Sequence, residues 1–457
     1  MPCVRVRGPA IVDLVLWIPM PADDRVWLRL DRPENVLSVV SATWTATPVD
    51  PGRLRALITG RMLRRYPVLR CRPVLPPWPL PAVWEEDPHF DLDRHLHVDR
   101  RADAAEHDLQ RFVGDLRSAE FDRRHPLWRV HLLPHGSGSA VVLQVHHSIT
   151  DGIRLTRLMV ELLDPAHPGD AAALTPPATH MSGAPSPAAL LDPRRAVGAA
   201  GELARTALHS VGSLVKLLAW SNPCTAWTGS PGPAKHAAWG DPVPLAALAD
   251  LAHRHGATVN DVLLALVGGA VRRVLDARGG APADLAWMVP VNLEPYDPAP
   301  PAALGNHFSL VLAVLPTYGP FAARLAEVHA RNDRIRHSWE PWLTAATQRL
   351  VGSTPAAVGV PVARFFADKA VGVLTTVPGP PVPMTLAGAP VTGSVGWAPC
   401  SGDQGLTVCM FSYAGQVFTG FGTDGRLVGD AGRLVRAFGA EVAEALGTSA
   451  PVPAAAP

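Results

Sequence analysis

Cysteine is scarce in this chain. Its 457 residues include five cysteines, Cys3, Cys71, Cys224, Cys400 and Cys409, an odd number at wide spacing with no Cys-x-x-Cys pair. That pattern supplies neither a structural zinc site nor a disulfide framework, and it fits a reducing, intracellular compartment. A surplus of one charge is also lacking. Lys and Arg total 41 against 40 Asp and Glu, for a net charge of +1, which leaves no electrostatic footprint for nucleic acid. Lysine is limited to Lys216, Lys235 and Lys369, which reads as a high-GC coding bias with arginine in its place. The longest helix-like apolar stretches, such as Val262 to Val271, are too short to span a bilayer. Near the start, Arg5 and Arg7 precede an apolar run from Ile11 to Met20 that resembles a weak signal peptide. Asp13 interrupts it, and no small-x-small cleavage site follows. Zinc-protease, P-loop and nucleophile-elbow signatures are absent as well.

What is present points to a large globular protein. Hydrophobic residues make up 47% and charged residues 18%, the balance of a folded chain long enough for two or three domains. The 48 prolines and 39 glycines imply abundant loops. Strands are expected at Val39–Thr47, Trp128–Leu133 and Ala140–Val145, the last two joined as a hairpin by the turn residues His135 to Ser139. Helical spacing marks Leu54 to Met62, Leu109 to Leu116 and Leu155 to Leu162. Pro165 to Pro187 is a Pro/Ala/Gly/Ser-rich linker or loop. It precedes an amphipathic segment with Leu203, Ala207, Leu208, Val211, Leu214, Val215 and Leu218 on one face. That face either packs on the body or lies on a membrane surface; few cations flank it, which favours packing. A strong helix over Thr258–Leu275 and six further strands follow, with a closing helix at Arg433–Leu446. The implied division is an extension at 1–20, a first domain at 21–164, a linker with the amphipathic helix at 165–240, a second domain at 241–447 and a disordered tail at 448–457. The fold class is α/β, with a mixed sheet and helices in each half.

Gly420-Phe421-Gly422-Thr423-Asp424-Gly425 matches a dinucleotide fingerprint in letters only. Too little chain follows for a βαβ unit, so the run reads as a strand ending in a turn.

The informative string is His146-His147-Ser148-Ile149-Thr150-Asp151-Gly152, an HHxxxDG motif. By the period of two, Val141, Leu143, Val145 and His147 share one strand face, and three of the four are apolar, so His147 ends a buried row. His146 points the other way. The pair therefore cannot readily share one metal, and no metal site is expected. A buried imidazole stays neutral and is a natural base for a hydroxyl proton near pH 7. Its second nitrogen needs a partner that the string does not reveal. Asp151 suits a helix start, either as a cap or as a partner for a distant arginine, and Gly152 permits a close backbone approach. A satisfied core histidine beside an ordinary helix cap is the bland alternative.

With further strings added, the chain resembles the wax ester synthase/diacylglycerol acyltransferase family, bacterial acyl-CoA-dependent O-acyltransferases of the chloramphenicol acetyltransferase-like superfamily. Asp24-Arg25-Val26-Trp27-Leu28, Phe90 to His95, Pro126-Leu127-Trp128, Asn260-Asp261-Val262, Pro290-Val291-Asn292, Gly305-Asn306-His307-Phe308, Val377-Pro378-Gly379-Pro380 and Ser412-Tyr413-Ala414-Gly415 carry the resemblance in order. It implies two chloramphenicol acetyltransferase-like domains with an active-site tunnel between them. It implies His147 as general base within the motif His146, His147, Asp151 and Gly152, with Asp151 structural. The implied substrates are long-chain acyl-CoA as co-substrate, with no other cofactor, and diacylglycerol or a fatty alcohol. The implied location is cytoplasmic, peripheral to a membrane face or lipid droplets. Asn260, Asp261 and Ser309 are candidates at the substrate and oxyanion position, Asn260 also being readable as a helix cap. The chain departs from the family at residues 1–20, which have no counterpart, and at Thr375-Thr376, where a Ser-Asn pair is expected. Two other readings are compatible with the motif: a condensation-type catalyst with a carrier-bound acyl donor, and a non-catalytic lipid or acyl-CoA binder.

Overall fold

The structure, a computed structural model, describes residues 3–5, 15–99, 106–170, 196–293 and 303–448. The expected tail from Ala450 and the Pro-rich stretch beyond residue 170 lie outside the described residues. Among the described residues, strands and helices alternate along both halves, and the strands collect into two seven-stranded mixed sheets and a smaller four-stranded one.

The first large sheet is built on the expected hairpin. Trp128–His135 and Gly138–His146 pair antiparallel, from Trp128 opposite Val145 to His135 opposite Gly138. The two-residue connection places Gly136 at φ +54°, the left-handed backbone that a tight hairpin turn requires. Gly138 is needed for a different reason: a Cβ there would stand 1.8 Å from the carbonyl oxygen of Thr45. Ser38–Thr45 pairs on the other side of the hairpin, with Ser38 opposite His146. Helix Glu106–Ser118 covers one sheet face, where Gln144 Nε2 donates to the carbonyls of Leu116 at 2.9 Å and Ala119 at 3.0 Å. This strand is therefore buried on both faces.

Ala389–Trp397, from the second half of the sequence, continues this first sheet by pairing antiparallel with Ser38–Thr45. Met384–Leu386 and Leu163–Pro165 extend the edge beyond it. The second large sheet runs Lys235–Trp239, Gln416–Asp424, Leu406–Tyr413, Gly372–Pro378, Asp284–Asn292 and Phe308–Pro316, with the short strand Val243–Pro244 also pairing with Gln416–Asp424. Its two central contacts are parallel. Helix Val259–Asp276 is buried along most of its length beneath it and anchors the second hydrophobic core. The run Gly420–Gly425 is the end of the strand Gln416–Asp424 and its turn, as expected. Its glycine at 420 serves packing: a Cβ there would lie 2.7 Å from Val395 Cγ2 and 2.8 Å from the Gly396 carbonyl, so the crossing strand and the second sheet meet backbone to backbone.

Within the extension expected at 1–20, Val15–Pro19 is a strand paired antiparallel with Val83–Glu86. One expectation needs correction. In helix Ala196–Ala219, the apolar stripe expected to pack on the body faces outward instead, with Leu208 71% and Val215 58% exposed. The inward face carries Thr206, Ser210, Ser213 and Leu217. Specific polar contacts hold it: Ser210 Oγ accepts from Trp339 N at 2.9 Å, and Lys216 pairs with the fully buried Glu340 at 2.8 Å. A hydrophobic stripe alone does not tell which side of a helix meets protein; here buried hydrogen bonds decided it.

Candidate active site

The strand Gly138–His146 delivers the motif to the junction of the two large sheets. His147 follows directly, and its main-chain N–H donates to the carbonyl of Leu37 at 2.7 Å. A short turn over His146–Ile149 leads to Asp151, which caps helix Gly152–Glu161. His147 is buried and lines a cavity with ≈ 150 Å³ open to the centres of water-sized molecules, roughly ten times what one buried water needs. The walls come from both sheets. Val39, Thr43 and Ser394 belong to the first, and Met288, Leu310, Val373 and Met410 to the second. Most of the lining is aliphatic or aromatic, suited to an acyl chain.

The ring of His147 is fixed on three sides. Trp27, from helix Ala22–Leu30, stacks on it with centroids 4.1 Å apart and planes at 23°. Phe308 approaches at 5.5 Å. Nδ1 lies 2.8 Å from Asn306 Oδ1. The amide orientation is settled by its other contacts, because Asn306 Nδ2 donates to Asp24 Oδ1 and to the His147 carbonyl, both at 2.8 Å. With Nδ2 facing two acceptors, Oδ1 must accept from Nδ1–H, and the lone pair resides on Nε2. Burial drives the imidazole down to a pKa of about 4, so the ring is neutral at physiological pH.

Asp151 serves the loop. One oxygen accepts from Arg154 N at 2.8 Å as helix cap, and the other from His307 N at 2.9 Å, tying the motif to the segment that carries Asn306. Burial raises its pKa above the usual carboxylate range. Gly152 lines the cavity beside it. His146 turns away: Nδ1 is 2.7 Å from Ser148 Oγ and Nε2 3.5 Å from Asp31. The remaining candidates do not line the cavity. Asp261 is a fully buried anchor whose carboxylate completes a capping box with Thr258 and accepts from His329 and Asn332. Thr258, and not Asn260, is the helix cap; Asn260 instead accepts from Thr376 Oγ1 at 2.9 Å. Ser309 sits between Phe308 and Leu310, which line the cavity, so strand alternation turns its side chain to the other sheet face. Thr375 and Thr376, the departure from the expected Ser-Asn pair, do line it. Sequence reasoning assigned no role to Asp24 or Asn306, although both lie inside strings that carry the resemblance.

Comparison with known proteins bears on the family and the fold. The profile of the wax ester synthase/diacylglycerol acyltransferase catalytic domain matches residues 20–263, and that of the WS/DGAT C-terminal domain matches 304–445. The chain belongs to the wax ester synthase/diacylglycerol acyltransferase family. A Mycobacterium bovis protein named as a diacylglycerol O-acyltransferase is 28% identical over 346 residues, covering 72% of this chain and 74% of that protein. The Mycobacterium tuberculosis diacylglycerol O-acyltransferase tgs1 aligns equally well. Among solved structures, the wax ester synthase/diacylglycerol acyltransferase of Marinobacter aquaeolei VT8 superposes with a TM-score of 0.65 at 20% identity, covering 94% of this chain and all of that one. The first condensation domain of the calcium-dependent antibiotic synthetase gives a TM-score of 0.58 at 16% identity, with coverage of 95% and 97%. At such identities these two likenesses establish the shared two-domain fold.

Proposed function

We propose that this acyltransferase moves a long-chain acyl group from acyl-CoA to the hydroxyl of diacylglycerol or a fatty alcohol, with His147 as general base. The observation that carries the reading is a neutral imidazole with Nδ1 engaged by Asn306, in the wall of an apolar cavity between two sheets. In the reaction, Nε2 takes the proton of the acceptor hydroxyl as its oxygen bonds to the thioester carbon. The carbon–sulfur bond breaks, and coenzyme A leaves as thiolate and recovers the proton from the imidazolium. Holding both reactants in one cavity supplies much of the rate by proximity, and acid–base catalysis typically adds 10²–10⁴-fold, as an order of magnitude. Written this way the reaction needs no cofactor besides the co-substrate.

The test is release of free thiol from palmitoyl-CoA with dioleoylglycerol and with hexadecanol, products being identified by mass. His147→Ala is expected to lose turnover while remaining folded, with a lowered urea midpoint because the buried ring and its bond to Asn306 are gone; activity within about tenfold of wild type removes His147 from the role. Turnover confined to carrier-bound donors would favour a condensation-type reaction instead.

The substrates also suggest a place of work. No helix of the described residues is long and apolar enough to cross a membrane. The exposed apolar residues of helix Ala196–Ala219 are joined by Trp342, Leu350 and Phe365 on the helices Glu340–Ser353 and Ala356–Ala367, each at least 50% exposed. Beneath them, Leu217 packs in one cluster with Met288 and Val373 of the cavity wall. This face supports peripheral association with a lipid surface from which the acceptor is drawn.

A further inference from the structure

Behind the imidazole stands a carboxylate that the proposed reaction has not used. Asp24 is in the first turn of helix Ala22–Leu30 and only 3% exposed. Its Oδ1 accepts from both the main-chain N–H of Asn306, at 2.9 Å, and the side-chain Nδ2, at 2.8 Å. The same amide presents Oδ1 to His147 Nδ1. Carboxylate, amide and imidazole thus form one line of hydrogen bonds, drawn from three segments far apart in sequence.

We propose that Asp24 is a positioning residue for His147, its buried carboxylate acting through the Asn306 amide to stabilise the imidazolium that forms when the ring takes the acceptor's proton. The inference rests on His147 being the base. A negative charge on Asp24 polarises the amide, makes Oδ1 a stronger acceptor and so favours Nδ1–H⁺. In the resting enzyme the ring is neutral and this interaction is weak. In the transition state the ring carries charge and the interaction is strong, which is the condition for an effect on kcat rather than on binding.

Burial lifts Asp24 to a pKa of about 7, against hydrogen bonds from Asn306 that lower it. The titratable groups around it are known. Asp23, beside it, pairs with Arg349 of the neighbouring helix at 3.2 Å. Asp151 raises Asp24 further by its charge. The ring of His307 lies on the same side of Gly305: a Cβ on Gly305 would stand 3.5 Å from Asp24 Oδ2 and 3.8 Å from His307 Nε2. Arg25 and Arg29 of the same helix are turned to the carbonyls of Gly352 and Thr354.

Asp24→Asn separates charge from structure, since an amide oxygen can still accept both bonds from Asn306. A unit charge about 8 Å from the imidazolium at an effective dielectric of about 20 corresponds to about a 30-fold rate change. With palmitoyl-CoA and dioleoylglycerol, Asp24→Asn is therefore expected to lose about 30-fold in kcat with KM within twofold. Wild-type activity falls as pH drops through about 7, where the carboxylate protonates, and this limb disappears in the variant. A variant with kcat within threefold of wild type, or one that keeps the limb near pH 7, overturns the proposal, since the limb then belongs to another group. Should the variant not fold, the wild-type profile decides: a rate unchanged between pH 5 and 8 overturns it, and a limb near pH 7 supports it. Full activity of His147→Ala would instead overturn the reading of the base itself.

Discussion

Replacing Asn306 with alanine tests the geometry of the site most directly. The substitution deletes three hydrogen bonds of 2.8 Å, to His147 Nδ1, to the His147 carbonyl and to Asp24. Asp24 retains the main-chain donor of residue 306, so two buried groups, Nδ1–H and the His147 carbonyl, are left without partners. Each orphaned group costs about 1–3 kcal/mol, so the fold loses about 4 kcal/mol. The effect on catalysis is separate. A hydrogen bond to a group that becomes charged is worth about 1.5–3 kcal/mol, which lowers kcat by about 10- to 150-fold. The ring also becomes free to adopt the other tautomer, which places the proton on the nitrogen that should accept one. Thiol release from palmitoyl-CoA with dioleoylglycerol measures the rate, and urea unfolding measures stability under conditions where the variant is folded. If kcat stays within threefold of wild type while the urea midpoint falls, Asn306 is merely a packing residue, and the assigned tautomer loses its support.

The remaining predictions concern pH and lipid. His147 is lowered to about 4 in the folded chain, so its contribution to stability is present above its unfolded pKa and is lost as pH falls toward 4; Asp24, raised to about 7, contributes stability at low pH that is lost as pH rises toward 7. These slopes oppose each other in wild type, so removing the titrating carboxyl in Asp24→Asn leaves the histidine slope exposed. The urea stability of that variant is expected to fall by about 3 kcal/mol more than that of wild type between pH 6.5 and 4, and equal slopes would refute the assignment. Flotation with phosphatidylcholine vesicles carrying diacylglycerol is expected to recover the protein with lipid. Leu214→Glu with Leu218→Glu abolishes this while leaving turnover of detergent-dispersed substrate intact; recovery unaffected by the double change sinks the surface assignment.

Much of the chain was legible from local pattern. The hairpin Trp128–His146, the helix after Asp151, the long buried helix and the order of late strands follow from side-chain periodicity and turn residues, which act over a few residues. The burial and neutrality of His147 were readable from alternation along one strand. The helices Glu340–Ser353 and Ala356–Ala367 were not, because their apolar residues do not all face protein: Leu350, Val358 and Phe365 are exposed. The same ambiguity reversed the faces of helix Ala196–Ala219.

By itself the sequence determined the α/β class, the HHxxxDG motif on a strand end and the family, since each is written in local spacing or ordered strings. Tertiary structure alone decided which partners complete the site. Asp24, His147 and Asn306 are separated by 123 or more positions, yet their side chains are linked by contacts of 2.8 Å. The strand Ala389–Trp397 crosses to the first sheet to close the cavity. No periodicity encodes such meetings, because they depend on how two sheets pack and on which buried polar atoms must find each other once water is excluded.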